Sequence, residues 1–346
     1  MLADKIVQAS EMFAVQDLTT GQLMRLSNAA NCADQLSACP LRFVLSDELT
    51  ALCAELALSR GAPTIACADL LRVPAQMLWM EWCNAPWMKV LQRFGISEDG
   101  ESPADQGRRG ALIRATADGR RGSVRTFWTV GGEGADVLAS SMEAYFDFDT
   151  QEHQVPEPPD DRSSVGIKVD DQDSASGVLA RCFRFRFEPT WKQYYAGVTG
   201  AKKRVLQQHA LGTIAFDIPV LLSFLLLSVS RTGLPRQQRS LERLNKLRRR
   251  AGKKPLLDHI QVHAPLLPEY LAARNSQADG GRRGPRLHHV RGHLVRRGGV
   301  LFWRVPHLRG SVRCGRVRTR TIIWTFDKHP SDTREGIPAA KVNGAH

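Results

Sequence analysis

The chain lacks most of the features by which a sequence names a reaction. Its seven cysteines are odd in number and scattered through 346 residues, with no C-x-x-C pair. That pattern excludes a disulfide scaffold and reads as reduced thiols in a cytosol-like compartment. The opening residues, MLADKIVQASEMF, carry neither the basic n-region nor the apolar h-region of a secretory signal. There is no G-x-x-x-x-G-K-[ST], no G-x-G-x-x-G opening a helix, no H-E-x-x-H and no G-x-S-x-G. The common phosphate-cradling, zinc-protease and nucleophile-elbow arrangements are therefore excluded. No internal repeat or heptad run sets the organisation. The one long apolar stretch, residues 211–230, contains Asp217 and Pro219. Its most apolar part, Val220 to Val229, falls well short of the ~20 residues of a membrane span. It reads as a buried helix with Asp217 as its cap and Pro219 in its first turn, and no membrane partner is expected.

Carboxylates are the most unevenly missing component. Residues 231–346 hold 26 Lys and Arg against seven Asp and Glu, whereas residues 1–230 hold 22 against 28. A basic third attached to a mildly acidic body is the charge pattern of a polyanion-binding appendage. Apolar residues make up 42% and charged residues 24% of the chain, which places it among globular proteins. Its length suits two domains or one elaborated domain.

Ser46, followed by Asp47 and Glu48, predicts a helix start, with Leu49, Leu52, Cys53 and Leu56 as its apolar face. The aromatic run around Trp79 and Trp82 predicts a buried strand, with Trp87 also in the core. Residues 110–130 read as a β-hairpin around Ala-Asp-Gly-Arg-Arg-Gly, residues 142–149 as another strand, and residues 178–187 as a strand alternating apolar residues with arginine. Between them, residues 151–176 form an acidic, proline-containing loop. A helix is expected from about Thr190. Residues 235–255 predict a basic helix with Pro235 at its entry, Gly252 after its last turn, and a narrow line of Leu241, Leu244 and Leu247.

The densest stretch is RLHHVRGHLVRRGGVLFWRVPHLRG, residues 286–310. With Gly298 and Gly299 as a two-residue turn, Arg297 faces Val300, Val295 faces Phe302, His293 faces Arg304 and Arg291 faces Pro306. Alternation then puts His289, Arg291, His293, Arg297, Phe302 and Arg304 on one face. Val290, Leu294, Leu301, Trp303 and Val305 lie on the other, with His288 and His307 toward its end. Guanidinium groups on the first face can pair with phosphates, and Phe302 and the imidazoles offer stacking surfaces. A metal site would need His289 and His293 to converge, but strand rise separates them by about 13 Å. His259 and His263 raise the same difficulty. Carboxylates able to hold magnesium exist as Glu143, Asp147 and Asp149, or as Asp170, Asp171 and Asp173, with Asp258 and His263 as further candidates.

Three stretches carry a resemblance: LRVPAQMLWMEW (71–82), RLNKLRRRAGKKPLLDHIQV (243–262), and VRGHLVRR followed by LFWRVPHLRGS (290–311). In order and spacing they resemble a family of uncharacterised proteins of tailed phages and proteobacterial prophages. The resemblance implies an intracellular protein made from a phage-derived gene, and no residue takes a catalytic role from it.

The expected fold is α+β: a mixed body over 1–230, a basic helix over 231–256, a basic antiparallel β-meander over 257–330 with RVRTRTIIWTF (316–326) as its third strand, and a loose tail over 331–346. The expected function is a cytoplasmic accessory protein that binds DNA or RNA without a cofactor. The contacts fall to Arg291, His293, Arg296, Arg297, Arg304 and Arg309, with Arg248, Arg249, Arg250, Lys253 and Lys254 neutralising backbone phosphates. The alternatives are a virion or assembly protein whose basic face meets an acidic partner, and a metal-dependent nuclease.

Overall fold

The computed structural model describes residues 1–8, 13–16, 23–26, 29–58, 67–95, 107–129, 137–149, 164–165, 182–188, 198, 200–231, 233–265, 286–290, 293–304, 307–309 and 311–316. They form an α+β fold around a large mixed sheet. The chain divides into two units, residues 1–266 with 292–305, and residues 267–291 with 306–346.

In the first unit the aromatic run becomes β4 (Met77–Cys83), flanked by a parallel β3 (Leu41–Leu45) and an antiparallel β5 (Arg108–Ala115). Between β3 and β4 lies α3 (Asp47–Leu58), whose start is marked by the Leu49 amide donating to Ser46 Oγ at 3.3 Å. The turn after β5 leads to β6 (Arg121–Thr129), the predicted hairpin partner. Strand alternation divides two cores. Leu78, Met80, Trp82, Ala111 and Ile113 face α3, α4 (Asn84–Arg93) and α6 (Ile218–Val229), with Phe43 and Phe224 ring centroids 5.5 Å apart. Trp79, Leu112 and Phe127 face the opposite way, toward Leu2, Ile6 and Leu36 of two further helices, α1 (Leu2–Gln8) and α2 (Ala29–Ala38).

Beyond β6 the sheet forks. Phe127, Trp128 and Thr129 pair with β7 (Val137–Ala139), and Arg121 to Val124 pair with β8 (Met142–Asp147). The alignment slips by two residues at Ser140–Ser141, where the Met142 amide bonds Ser140 Oγ at 3.2 Å. One branch continues in parallel from β7 to β1 (Phe13–Gln16) and then β2 (Leu23–Leu26); the other runs from β8 to β10 (Phe183–Phe187) and β9 (Ser164–Val165). In β10 Phe183, Phe185 and Phe187 are buried while Arg184 and Arg186 take the other face, the expected alternation. At the far edge β12 (His259–Val262) lies parallel to β3, and β11 (Arg236–Arg239) pairs antiparallel with β12. The helix expected near Thr190 is α5 (Gly200–Ala215), and residues 189–197 lie outside the described set.

Residues Val205–Val229 reach the length and apolarity of a membrane span, yet 67% of the most apolar window is buried inside the fold. Pro219 sits in the first turn of α6 as expected, but Asp217 does not cap it. Its carboxylate instead accepts from Arg109 Nη1 at 2.9 Å, and that guanidinium lies 4.4 Å from the Phe216 ring centroid. A charge-assisted bond from a guanidinium is a stronger claim on the carboxylate than neutral helix amides. Burial pushes the Asp217 carboxyl up to about 6, against the opposing pull of Arg109 and Thr126. Between its ordinary value and about pH 6 the folded chain holds a proton that the unfolded chain releases. This group's contribution to stability therefore falls as pH rises through that window. Urea midpoints of the wild type and Asp217→Asn should converge toward pH 4, with the wild type losing ground as pH approaches 7; parallel midpoints across the range would refute the assignment.

In the second unit β13 (Arg286–Val290) pairs antiparallel with β16 (His307–Arg309) and parallel with β17 (Ser311–Arg316). The parallel pairing differs from an all-antiparallel meander. Most of the expected third strand, residues 317–326, lies outside the described set, as does the tail 331–346.

Candidate nucleic-acid interface

Residues 235–258 leave the sheet edge and return to it. Arg236 to Arg239 are strand rather than helix, because the open edge of β12 offers backbone partners that outweigh local helical preference. All four residues of β11 are exposed. The helix proper, α7, runs from Glu242 to Arg250. Near its start the Leu241 amide donates to Asp258 Oδ1 at 2.6 Å. It ends in a Schellman turn: the Lys253 amide bonds the Arg248 carbonyl at 2.9 Å and the Gly252 amide bonds that of Arg249 at 3.1 Å. Gly252 supplies the required φ of 67°.

The side on which this helix docks is unusual for its sequence. Its buried residue is Asn245, which donates to the Leu256 carbonyl at 2.8 Å and accepts from the Leu256 amide at 2.7 Å. Leu244 and Leu247, the line expected to face inward, are 45% and 56% exposed. The returning segment is fixed by the Leu257 amide donating to Asp4 Oδ1 at 2.8 Å and by Arg42 reaching the Asp258 carbonyl at 3.4 Å. The result is a hook held by amide and carboxylate clamps. It carries Arg236, Arg239, Arg243, Lys246, Arg248, Arg249, Arg250, Lys253 and Lys254, with Glu242 and Asp258 its only acids. All nine basic residues except the half-buried Arg248 are exposed, and Arg248 Nε donates to the Lys254 carbonyl at 2.9 Å.

A second basic element belongs to the same unit. The hairpin β14 (His293–Arg297) and β15 (Val300–Arg304) turns at Gly298 and Gly299, with φ of 54° and 76°. His293 faces Arg304, Val295 faces Phe302 and Arg297 faces Val300, the register expected from the glycine pair. Leu301 and Trp303 are buried in the main core with Leu294 packed against them, and the Arg231 amide bonds the Leu301 carbonyl at 2.9 Å. His293, Arg297, Phe302 and Arg304 share the outer face. Phe302 is half-buried and has the Arg231 guanidinium 6.0 Å from its centroid.

Arg296 departs from the phosphate-contact role expected for it. It lies on the inward side beside Leu301 and forms a bidentate pair with Asp69, at 3.1 and 2.7 Å. Arg309 falls on β16 of the second unit, and Arg291 lies outside the described residues. The register of β13 with β16 aligns His288 with Arg309 and Val290 with His307, while His289 faces Leu308. Composition drew attention to the arginine run of α7, whereas Arg236 and Arg239 join the basic surface through strand pairing, and Arg231 through its amide bond to Leu301, contacts that spacing alone does not reveal.

The carboxylates proposed for magnesium are engaged by arginines. Glu143 pairs with Arg114 and accepts from Tyr145 at 2.7 Å; Asp147 lies 3.5 Å from Arg121, and Asp149 lies 2.6 Å from Arg120. Burial works against ionisation of Glu143, but hydrogen bonds from Tyr145 and Ser123 and the Arg114 charge outweigh it and hold the carboxyl below its ordinary value. The Tyr145 hydroxyl is pushed up to about 12 by burial and by its bond to that carboxylate. Asp170, Asp171 and Asp173 lie outside the described residues. Among the described residues no three His, Cys, Asp or Glu side chains gather closely enough to share a metal ion. No protein-family model, curated protein or solved structure matches the chain, so its two basic elements stand as the site on their own geometry.

Proposed function

We propose that the chain is a phage- or prophage-derived accessory protein of the cytoplasm that binds nucleic acid through a basic C-terminal face, made of a basic helix and the basic hairpin that follows it. The observation that carries this reading is the hook: nine Lys and Arg against two acids over residues 235–258, closed on itself by the Asn245 and Asp258 bonds and tied to α1 through Asp4. Keeping so many like charges together on the body weakens the fold through mutual repulsion. A polyanion relieves that repulsion and gains entropy from released counterions. His293, Arg297 and Arg304 on the outer face of the hairpin extend the same chemistry, and the basic composition of residues 286–310 is the ground for naming Arg291 and Arg309 as further phosphate contacts. Arg296, paired with Asp69, adds no net charge to that face.

Electrophoretic mobility shift against generic DNA and RNA across a salt series tests the reading. Binding at low salt that weakens as a power of salt concentration is expected. Absence of a shift at ~50 mM salt, or a shift insensitive to salt, would exclude it and leave an acidic protein surface as the partner.

A further inference from the structure

We infer that α7 is a groove-inserting helix for B-form duplex DNA, with Leu244 and Leu247 as its apolar contacts on the groove floor; this rests on the nucleic-acid reading above. The starting point is the inverted docking of α7. A helix that needed only to pack would turn its leucines to the core. Here a buried asparagine, with both amide atoms bonded to Leu256, takes the inward side. The two leucines remain in solvent. Helical spacing places them as one strip, three residues apart, with Arg243, Lys246 and Arg250 along one flank and Arg248 along the other.

An apolar strip bordered by cations complements a surface whose apolar floor is bordered by anions. A second copy of the same helix is disfavoured, because face-to-face packing would bring Arg243, Lys246 and Arg250 against their own equivalents. A DNA duplex supplies the complement: phosphates line both edges of the major groove, and base edges with thymine methyl groups form its floor. The dimensions agree. An α-helix with its side chains is about 10–12 Å across, and a major groove about 12 Å wide admits it lengthwise. The deep, narrow major groove of A-form RNA does not. The Schellman stop at Gly252 and the Asp258 contact near the first turn hold both ends of the helix, so insertion requires little further ordering.

The test uses the full-length chain and a Leu244→Ser/Leu247→Ser variant. Both side chains are exposed, so the circular dichroism spectrum and urea midpoint should match those of the wild type. Three probes of equal length are compared at several salt concentrations: a DNA duplex, an RNA duplex and single-stranded DNA. The variant should bind the DNA duplex about tenfold more weakly, the change expected from removing roughly 1.4 kcal/mol of apolar burial. Its salt slope should be unchanged, since no charge is removed, and its affinity for the other two probes should match that of the wild type. Equal affinity of variant and wild type for the DNA duplex overturns the inference while leaving nucleic-acid binding intact. An equal loss on all three probes also overturns it. Leucine-dependent capture on anionic phospholipid vesicles, without leucine dependence on DNA, would assign the strip to a lipid surface instead. Failure of the wild type to bind any of the three nucleic acids removes the underlying reading and this inference together.

Discussion

Neutralising Arg248, Arg249, Arg250, Lys253 and Lys254 together, each to glutamine, lowers affinity for duplex DNA on the order of 10³-fold at ~0.15 M salt. Every phosphate that a cation no longer neutralises flattens the dependence of log affinity on log salt by about 0.9, so five of them change the slope by about 4.5. The two binding curves should therefore meet as salt approaches ~1 M, where counterion release no longer contributes. The effect is confined to binding, because four of these side chains are exposed. Arg248 alone makes a local bond, to the Lys254 carbonyl, and the clamps that hold the hook belong to Asn245, Asp258 and Asp4. A five-fold variant with the wild-type salt slope would show that these charges do not meet phosphate. Comparing it with the leucine variant separates charge from shape: one alters the slope and the other alters only the intercept.

Glu81→Ala destabilises the fold by about 3 kcal/mol, because it leaves several buried donors without an acceptor. Glu81 is fully buried in the middle of β4 and gathers four donors. The Leu2 and Ala3 amides reach it at 2.9 and 3.2 Å, Trp79 Nε1 at 3.2 Å and Arg108 Nε at 2.5 Å. Truncation leaves two helix amides, an indole N–H and a guanidinium short of an acceptor, and it loosens α1 from the sheet. Because Asp4 of that same helix holds the Leu257 amide, the disturbance reaches the base of the basic hook. Glu81→Gln keeps an acceptor of the same shape and should cost distinctly less, with the deficit concentrated at Arg108. Urea unfolding of both variants measures the difference; equal midpoints for the alanine variant and the wild type would refute the assignment.

Local chemistry was legible in the sequence where one residue decides the backbone. Ser46 bonds the Leu49 amide, and Gly298 with Gly299 sets a hairpin register that holds at all five described pairs. Strand alternation likewise sorted Leu301 and Trp303 from Arg304 and His293. What escaped depends on partners far away in the chain. Arg236 to Arg239 look helical until β12 offers its edge, and β12 is recognisable as a sheet strand only once β3 lies beside it. Asp217 reads as a cap until Arg109 claims it. Arg296 counts as one more surface charge until Asp69 pairs with it. The site was legible as composition, since the arginine run of α7 is plain, but not as orientation. Nothing in the spacing of Leu241, Leu244 and Leu247 says that Asn245 takes the inward side.

The placing of β12 beside β3 joins residues more than two hundred positions apart, Ile260 against Phe43. During synthesis β3 emerges early, and its outer edge has no strand to meet until residues beyond Val262 have left the ribosome. At an elongation rate of about 5–20 residues per second that interval lasts on the order of ten seconds or more. The hook cannot be seated until the wait ends, because β11, the Asp258 contact and the Leu257 bond all depend on the same late segment. A nascent chain thus carries the two halves of this edge apart for most of its synthesis, and the basic helix takes its orientation only once β12 has reached β3.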